Sequence, residues 1–265
     1  MVKIIEMNVK ELLSLRHKII LVSGGAGLYG SSIVEGLAEA GATVIIASRN
    51  AESLKAKAQQ FRENGLEVHA MPVDQGNHES ILILKSEIEK KFGRLNVFIN
   101  NAVSRPIRNL ENYTVERFSE SMRINATGAM DMLREMSDLM AKSGGGSIIN
   151  IASMMGMFGP DLSNYEDTDM GWPPPDYFFH RAGIINLTRY LARTLADKKI
   201  RVNCVSPGGL FNHQPQRFLE NYCKKVPVGR MANNDDIKGI MVLLASDAGA
   251  YINGENILMD GGMHA

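Results

Sequence analysis

The residues whose types and spacing could do chemistry begin at Ser23-Gly24-Gly25-Ala26-Gly27-Leu28-Tyr29-Gly30. Gly24, Gly27 and Gly30 follow the aliphatic run Ile19-Ile20-Leu21-Val22. They precede a segment with Ile33, Val34, Leu37 and Ala38 at helical spacing. A buried strand, a glycine turn and a helix N-terminus make a phosphate site. The turn lets an anion approach the main chain, where free N–H groups meet the positive end of the helix dipole. Glycine turns also join strands to helices with no ligand, so the turn takes its meaning from the rest of the chain. Further polar groups stand where later strands end: Ser48-Arg49-Asn50, Asp74-Gln75, Asn100-Asn101-Ala102-Val103, Ala152-Ser153 and Ser206-Pro207-Gly208-Gly209-Leu210. In an open α/β sheet that is the edge where ligands bind.

The apolar pattern supplies the elements that must position these groups. Short continuous apolar runs at 19–22, 43–47, 67–71, 95–99, 147–151, 201–205 and 256–259 read as buried strands. Between them, helical spacing predicts helices over 51–61, 80–92, 115–142, 177–196 and 235–244. Strand–helix alternation with strands apolar throughout predicts a parallel sheet covered on both faces. No repeat or linker divides it. Residues 18–265 are expected to form one α/β domain after an amphipathic lead-in, 1–17, with a short helix around 9–15. One interval breaks the rhythm, between the fifth strand and the 177–196 helix. It holds Tyr165, Asp167, Asp169, Trp172 and Pro173-Pro174-Pro175. An irregular stretch of that length after a strand's C-terminal end is expected to be a lid or binding loop.

Composition excludes several classes. The 265 residues carry 29 Lys plus Arg and 29 Asp plus Glu, a formal net charge of zero, which removes the footprint of a general nucleic-acid binder. Cys204 and Cys223 form no metal-ligand spacing and no disulfide framework, so reduced thiols and no metal site are expected. No apolar run reaches the length of a membrane span, and Glu6 and Glu11 are unlike a signal peptide. The expectation is a soluble, cytoplasmic protein that acts on a small molecule, with no nucleic-acid or membrane partner.

Taken together, these strand-end motifs resemble the short-chain dehydrogenase/reductase (SDR) superfamily, from Lys18 to Asp260-Gly261-Gly262. The resemblance implies a single Rossmann-type, doubly wound, parallel seven-stranded sheet and hydride transfer with a nicotinamide cofactor. Asn164-Tyr165-Glu166, Gly183-Ile184-Ile185-Asn186-Leu187-Thr188 and Gly229-Arg230-Met231-Ala232 look like a bacterial subgroup. That subgroup includes gluconate dehydrogenase-like enzymes and oxidoreductases of flagellin-glycan and nonulosonic-sugar pathways, which implies a sugar-like or polyol substrate. Tyr177 stands where the family's acid/base tyrosine stands, Ser153 matches the serine that holds the substrate oxygen, and Asn125 matches the proton-relay asparagine. A phenol working near neutral pH needs its pKa lowered from about 10 by about three units, roughly 4 kcal/mol. A unit charge about 4 Å away supplies that much at an effective dielectric near 20.

The chain departs from the family at three positions. Arg181 replaces the usual lysine one turn after Tyr177; it keeps the charge, but its planar fork is not a compact ammonium. Leu28 occupies the second glycine position of the turn, and Val103 replaces the glycine usual after Asn-Asn-Ala. Arg181 implies a working but slowed enzyme. Together with Leu28 and Val103 it motivates the competing class, a nucleotide-binding or scaffold protein that has kept the fold and lost the chemistry. For the cofactor, Ser48 stands where a carboxylate would repel a 2′-phosphate, and Arg49 can pair with that phosphate, so NADP(H) is favoured over NAD(H). The resemblance places Asn50, Asp74 and Gln75 near the adenine end and Pro207, Gly208, Gly209 and Leu210 near the nicotinamide. Ser23, Gly24, Gly27, Leu28, Tyr29 and Gly30 take the pyrophosphate turn, with Asn101, Ala102 and Val103 beside it. Met154, Met155 and Trp172 are candidates for the substrate wall, and His213 for a contact to a substrate hydroxyl. His180 reads as packing. Asp131, Arg134, Glu135 and Asp138 read as a solvated or subunit-facing stripe. A homotetramer or homodimer packed through the 115–142 and 177–196 helices is implied.

Overall fold

β1 (Ile19–Ser23) and β4 (Val97–Asn100) are buried along their whole length, and β2 (Thr43–Ser48), β5 (Gly146–Ile151) and β6 (Ile200–Pro207) nearly so. β3 (Val68–Pro72) and β7 (Asn256–Met259) are more open and form the two edges. The computed structural model describes residues 8–265, so the first seven residues of the lead-in lie outside the described residues. All pairings are parallel, in the order β3-β2-β1-β4-β5-β6-β7. This is the doubly wound seven-stranded sheet expected of the sequence.

Strands apolar on both faces need helices on both faces. α1 (Val9–Leu12) is a single turn closed by a capping box between Asn8 and Glu11. One core packs α2 (Leu28–Glu39), α3 (Ala51–Glu63) and a later helix, α9 (Lys238–Ala245), against the sheet. The opposite core takes α4 (His78–Phe92), α6 (Ala129–Lys142) and α7 (Pro175–Thr194). α5 (Val115–Met122) leads into α6, and α8 (Gln216–Cys223) stands over the sheet's C-terminal edge among Phe218, Tyr222, Val226 and Met231.

Besides shifts at other helix ends, where α1 stops at Leu12, α4 starts at His78 and α9 starts at Lys238, the structure departs from the sequence expectation in four places. The 115–142 helix is interrupted by a π-helical segment, Arg123–Gly128. Its cause is Gln75, which donates its amide to the Ile124 carbonyl at 3.0 Å. Gly128 sits so close that a Cβ there would lie 2.1 Å from the Gln75 carbonyl oxygen. A carbonyl drawn to an outside donor opens the helical ladder. α7 begins two residues earlier than predicted, because Pro174 caps it and Pro175 presets its first turn. α8 was not expected as a helix. Glu135, read as part of a solvated stripe, is buried and pairs with Lys85 at 2.6 Å between α4 and α6.

After β3 the chain crosses to the other side of β1 to form β4, so a crevice opens beyond the C-terminal ends of β1 and β4. The glycine turn closes its floor. Gly24 has φ +66, and a Cβ on Gly30 would lie 2.1 Å from the Gly24 carbonyl oxygen. Gly30→Ala is therefore expected to lower stability by about 1–3 kcal/mol, the usual cost of overpacking, read from thermal unfolding. An unchanged midpoint would show that the turn relaxes without cost.

Candidate active site

The crevice is a single cavity of about 830 Å³. Its floor is built by the first turn. Ser23 ends β1 buried, with its hydroxyl accepting the N–H groups of Asn101 and Ala102, each at 3.1 Å. Asn101 returns its amide to the carbonyls of Ser23 at 3.0 Å and Gly24 at 3.1 Å. These bonds clasp the ends of β1 and β4 together. Gly27 caps α2 without any side-chain acceptor, which leaves the first-turn N–H groups free to face the cavity. Leu28 and Tyr29 line it there, and the Tyr29 hydroxyl is buried with no partner among the described residues. Burial is the main reason its pKa is pushed up, with Asp236 adding to it.

Tyr177 and Arg181 rise from the first turns of α7 into the same cavity, facing Ser153 at the end of β5. Arg181 is only 7% exposed. It donates to the Ile151 carbonyl, its Nε has no partner, and its Cζ lies 5.0 Å from the centre of the Tyr177 ring. A second guanidinium, from Arg105 in the loop after β4, lies 4.8 Å from that centre. Burial pushes the phenol pKa up, but Arg181, Arg105 and the Ser153 hydroxyl together hold it below the usual value of 10. Ser153 accepts the Met155 N–H at 3.1 Å, which leaves its own proton to give. His180 packs its edge against Tyr177, with ring centres 5.3 Å apart and a buried, unpartnered Nε2. Burial first, then the two arginines, drives its pKa down to about 3. It is therefore neutral at ordinary pH and no proton acceptor there.

The other expected residues divide cleanly. Gly24, Gly27, Leu28, Tyr29, Gly30, Ser48, Asn101, Ala102, Val103, Pro207, Gly208, Gly209 and Leu210 all line the cavity, as do Met154, Met155 and Trp172. Arg49 is exposed beyond Ser48 and does not line it. Asn50 is spent capping α3, Asp74 accepts the Gly76 N–H, and Gln75 holds the π-helical segment. His213 lies outside the lining, at φ +56, while its neighbours Asn212 and Gln214 are inside it. Asn125 walls a separate small cavity with Asn100, His180 and Arg181. Its side chain is fully engaged with Ser104 and Ser121.

The stretch between β5 and α7 forms the outer wall, through Tyr165, Met170 and Trp172 among others. Lys225 ties it down by reaching Asp161 at 2.6 Å and Asn164 at 2.8 Å, and Tyr165 packs edge-on against Phe218 of α8. Sequence reasoning missed Arg105. The one available signal was a basic residue just past the Asn100-Asn101-Ala102 strand end. Among the described residues there is no group of three or more metal-ligating side chains, and no helix is long and apolar enough to cross a membrane.

Comparison with known proteins gives a consistent result. A family model described as Enoyl-(Acyl carrier protein) reductase matches residues 27–264. The post-translational flagellin modification protein A of Campylobacter coli is 29% identical over 253 residues, covering 94% of this chain and 98% of that protein. A gluconate 5-dehydrogenase from Burkholderia cenocepacia J2315, solved with NADP and tartrate, superposes with a TM-score of 0.85 at 25% identity, over 97% of this chain and 98% of that one. A short-chain dehydrogenase from Leptospira borgpetersenii, solved with NAD+, gives a TM-score of 0.85 at 31% identity, over 99% and 98%.

The neutral His180 has a consequence for stability. Unfolded, the imidazole takes a proton near pH 6.5; folded, it does so only near 3. Between those values the unfolded chain binds the extra proton, so acid favours unfolding. The contribution is intact above pH 6.5 and is lost at about 1.4 kcal/mol per pH unit as pH falls toward 3. Urea unfolding at pH 6.5 and 5 should show wild type losing about 2 kcal/mol more than His180→Asn. Equal losses would mean that the imidazole is charged in the folded state.

Proposed function

Because the chain belongs to the short-chain dehydrogenase/reductase superfamily, a family of NAD(P)-dependent oxidoreductases, we propose that it moves a hydride between NADP(H) and a carbonyl or secondary alcohol. The substrate is a sugar-like or polyol molecule. The observation that carries this reading is the phenol of Tyr177 in the cavity wall, flanked by Ser153 and by a buried guanidinium.

The residues present fit a dinucleotide. Uncapped first-turn N–H groups of α2 suit a pyrophosphate, and the orphaned Tyr29 hydroxyl beside them is a further donor. Ser48, with Arg49 exposed just beyond it, would hold the adenosine ribose and its 2′-phosphate, and Asn101, Ala102, Val103, Pro207, Gly208, Gly209 and Leu210 would hold the rest. When bound, the nicotinamide supplies or accepts the hydride. Tyr177 gives its Oη proton to the developing alkoxide in reduction, or takes the hydroxyl proton in oxidation. Ser153 donates its free proton to the same substrate oxygen and orients it. Arg181 stabilises the phenolate through its charge alone, since a guanidinium does not release a proton in proteins. The Met154, Met155 and Trp172 wall keeps bulk water from the reacting carbon.

The sugar-like substrate rests on the likeness to the gluconate 5-dehydrogenase solved with NADP and tartrate. The preference for NADP(H) rests on Ser48 and Arg49, and a structural neighbour solved with NAD+ is the counterweight. The same reading carries a cytoplasmic location and a homodimer or homotetramer packed through α5, α6 and α7.

Calorimetric titration with NADPH and NADH tests the cofactor. NADPH should bind more tightly, and Arg49→Ala should remove most of the difference. Binding of neither nucleotide would favour the non-catalytic scaffold, with Leu28 and Val103 as the cause. For the chemistry, Tyr177→Phe should cost about 10²–10⁴-fold in turnover on a panel of polyols and keto-sugars. Arg181→Lys should raise turnover about tenfold, about 1.4 kcal/mol of barrier. Unchanged or lower turnover would show that the arginine is no handicap.

A further inference from the structure

A closed ring of contacts joins Tyr177 to Arg105. Asp176, the residue before Tyr177, is 1% exposed and accepts the Ser121 hydroxyl at 2.5 Å. Asn125 donates to that Ser121 oxygen at 3.0 Å and to the Ser104 carbonyl at 2.8 Å. Its own Oδ1 accepts the Ser104 N–H at 2.8 Å. The Ser104 backbone is thus gripped on both sides by one amide, and Ile107, 1% exposed, pins the far end of the loop. Between those two anchors stands Arg105, with its guanidinium 4.8 Å from the Tyr177 ring centre. Among the described residues it has no carboxylate partner.

We propose that Arg105 is a second activating cation for Tyr177, and that Asn125 is the residue that positions it, through the Ser104 backbone. Two guanidiniums then favour the phenolate together, Arg181 from within α7 and Arg105 from the loop after β4. The arrangement makes chemical sense of Arg181. Part of that guanidinium is committed to the Ile151 carbonyl, and a second charge makes up what the first does not deliver. A guanidinium near an aromatic ring is attracted to it while the phenol is neutral, and more strongly once the phenol has ionised. Asn125 thereby acts on the tyrosine without touching it. The other groups that face the phenol are fixed in charge or neutral: His180 and Arg181 on α7, Ser153 at the end of β5, and Tyr29 on α2.

The effect on turnover rests on the oxidoreductase reading; the effect on the phenol does not. Tyrosine ionisation is therefore followed by its ultraviolet phenolate band in the free protein, with Tyr177→Phe identifying the step that belongs to Tyr177. Arg105 is exposed on a loop, so Arg105→Gln should fold. In that variant the Tyr177 step should move up by about one pH unit, and Arg105→Lys should keep it near its original place. Asn125→Ser should reproduce the shift with Arg105 intact. In alcohol oxidation below the step, kcat of Arg105→Gln should fall about tenfold with KM little changed. A Tyr177 step unmoved by Arg105→Gln overturns the proposal, and a raised KM with an unmoved step would assign Arg105 to the substrate instead. If the phenol responds as stated but no nucleotide binds, the oxidoreductase reading fails and the proposal stands.

Discussion

A guanidinium buried against a phenol is the constraint on which the rest of this site depends. Charge is expensive to bury unless it is paired or hydrogen-bonded. Arg181 is met by a backbone carbonyl, Ile151, at the end of β5. That bond does more than satisfy the charge. It fixes α7 against the end of β5, two residues before Ser153, so the hydroxyl and the phenol line one cavity together. Gly156 shows how closely the two are fitted: a Cβ there would lie 2.6 Å from the Arg181 carbonyl carbon. His180, its neighbour in the chain, stays uncharged because it is buried and, secondarily, because two guanidiniums lie close to it.

The second constraint comes from the helix packed beside α7 on the same face of the sheet. Gln75 opens the helical ladder at Ile124, and the π-helical segment that results carries Asn125. A helix continued in regular register through this region would turn the residue at 125 to a different azimuth. The amide would then miss Ser104. A loop residue far from the tyrosine in sequence thus helps decide what stands over its ring, by way of a helix distortion and a two-sided grip on one backbone unit. Such π segments recur at functional sites because they re-aim a side chain without breaking the helix.

How much of this was legible in the sequence depends on whether the cause was local. The sheet was legible because β1, β2, β4, β5 and β6 are largely apolar and buried on both faces, as a parallel sheet between two helical layers requires. The glycine turn, Ser153, Tyr177 and Arg181 were legible from residue type and spacing once the family resemblance was on hand, and the structure brings them to one cavity. The π-helical segment was not, because its cause is an amide 49 positions away. Gln75 and Asn50, expected near the adenine end, also carry structural bonds that no local pattern announced: one holds a helix bulge, the other caps α3. Arg105 carried only the weak signal of a basic residue past a strand end, because the ring it covers lies far along the chain.

These points together change what the arginine at position 181 means. An ammonium at that place could work in two ways, as a charge and as a proton carrier; a guanidinium keeps only the first. A site that relies on charge alone gains by adding more of it near the phenol and by excluding water, since each cation acts more strongly where the local dielectric is low. The chain has both features. Arg105 is held over the ring by a loop that Asn125 and the buried Ile107 keep in place, and the wall built by Trp172, Met170 and Tyr165 is tied down through Lys225. Lost proton traffic and gained electrostatic preorganisation are then two sides of one substitution. The site is then a phenol poised by fixed charges, without the proton traffic that a lysine at 181 would restore.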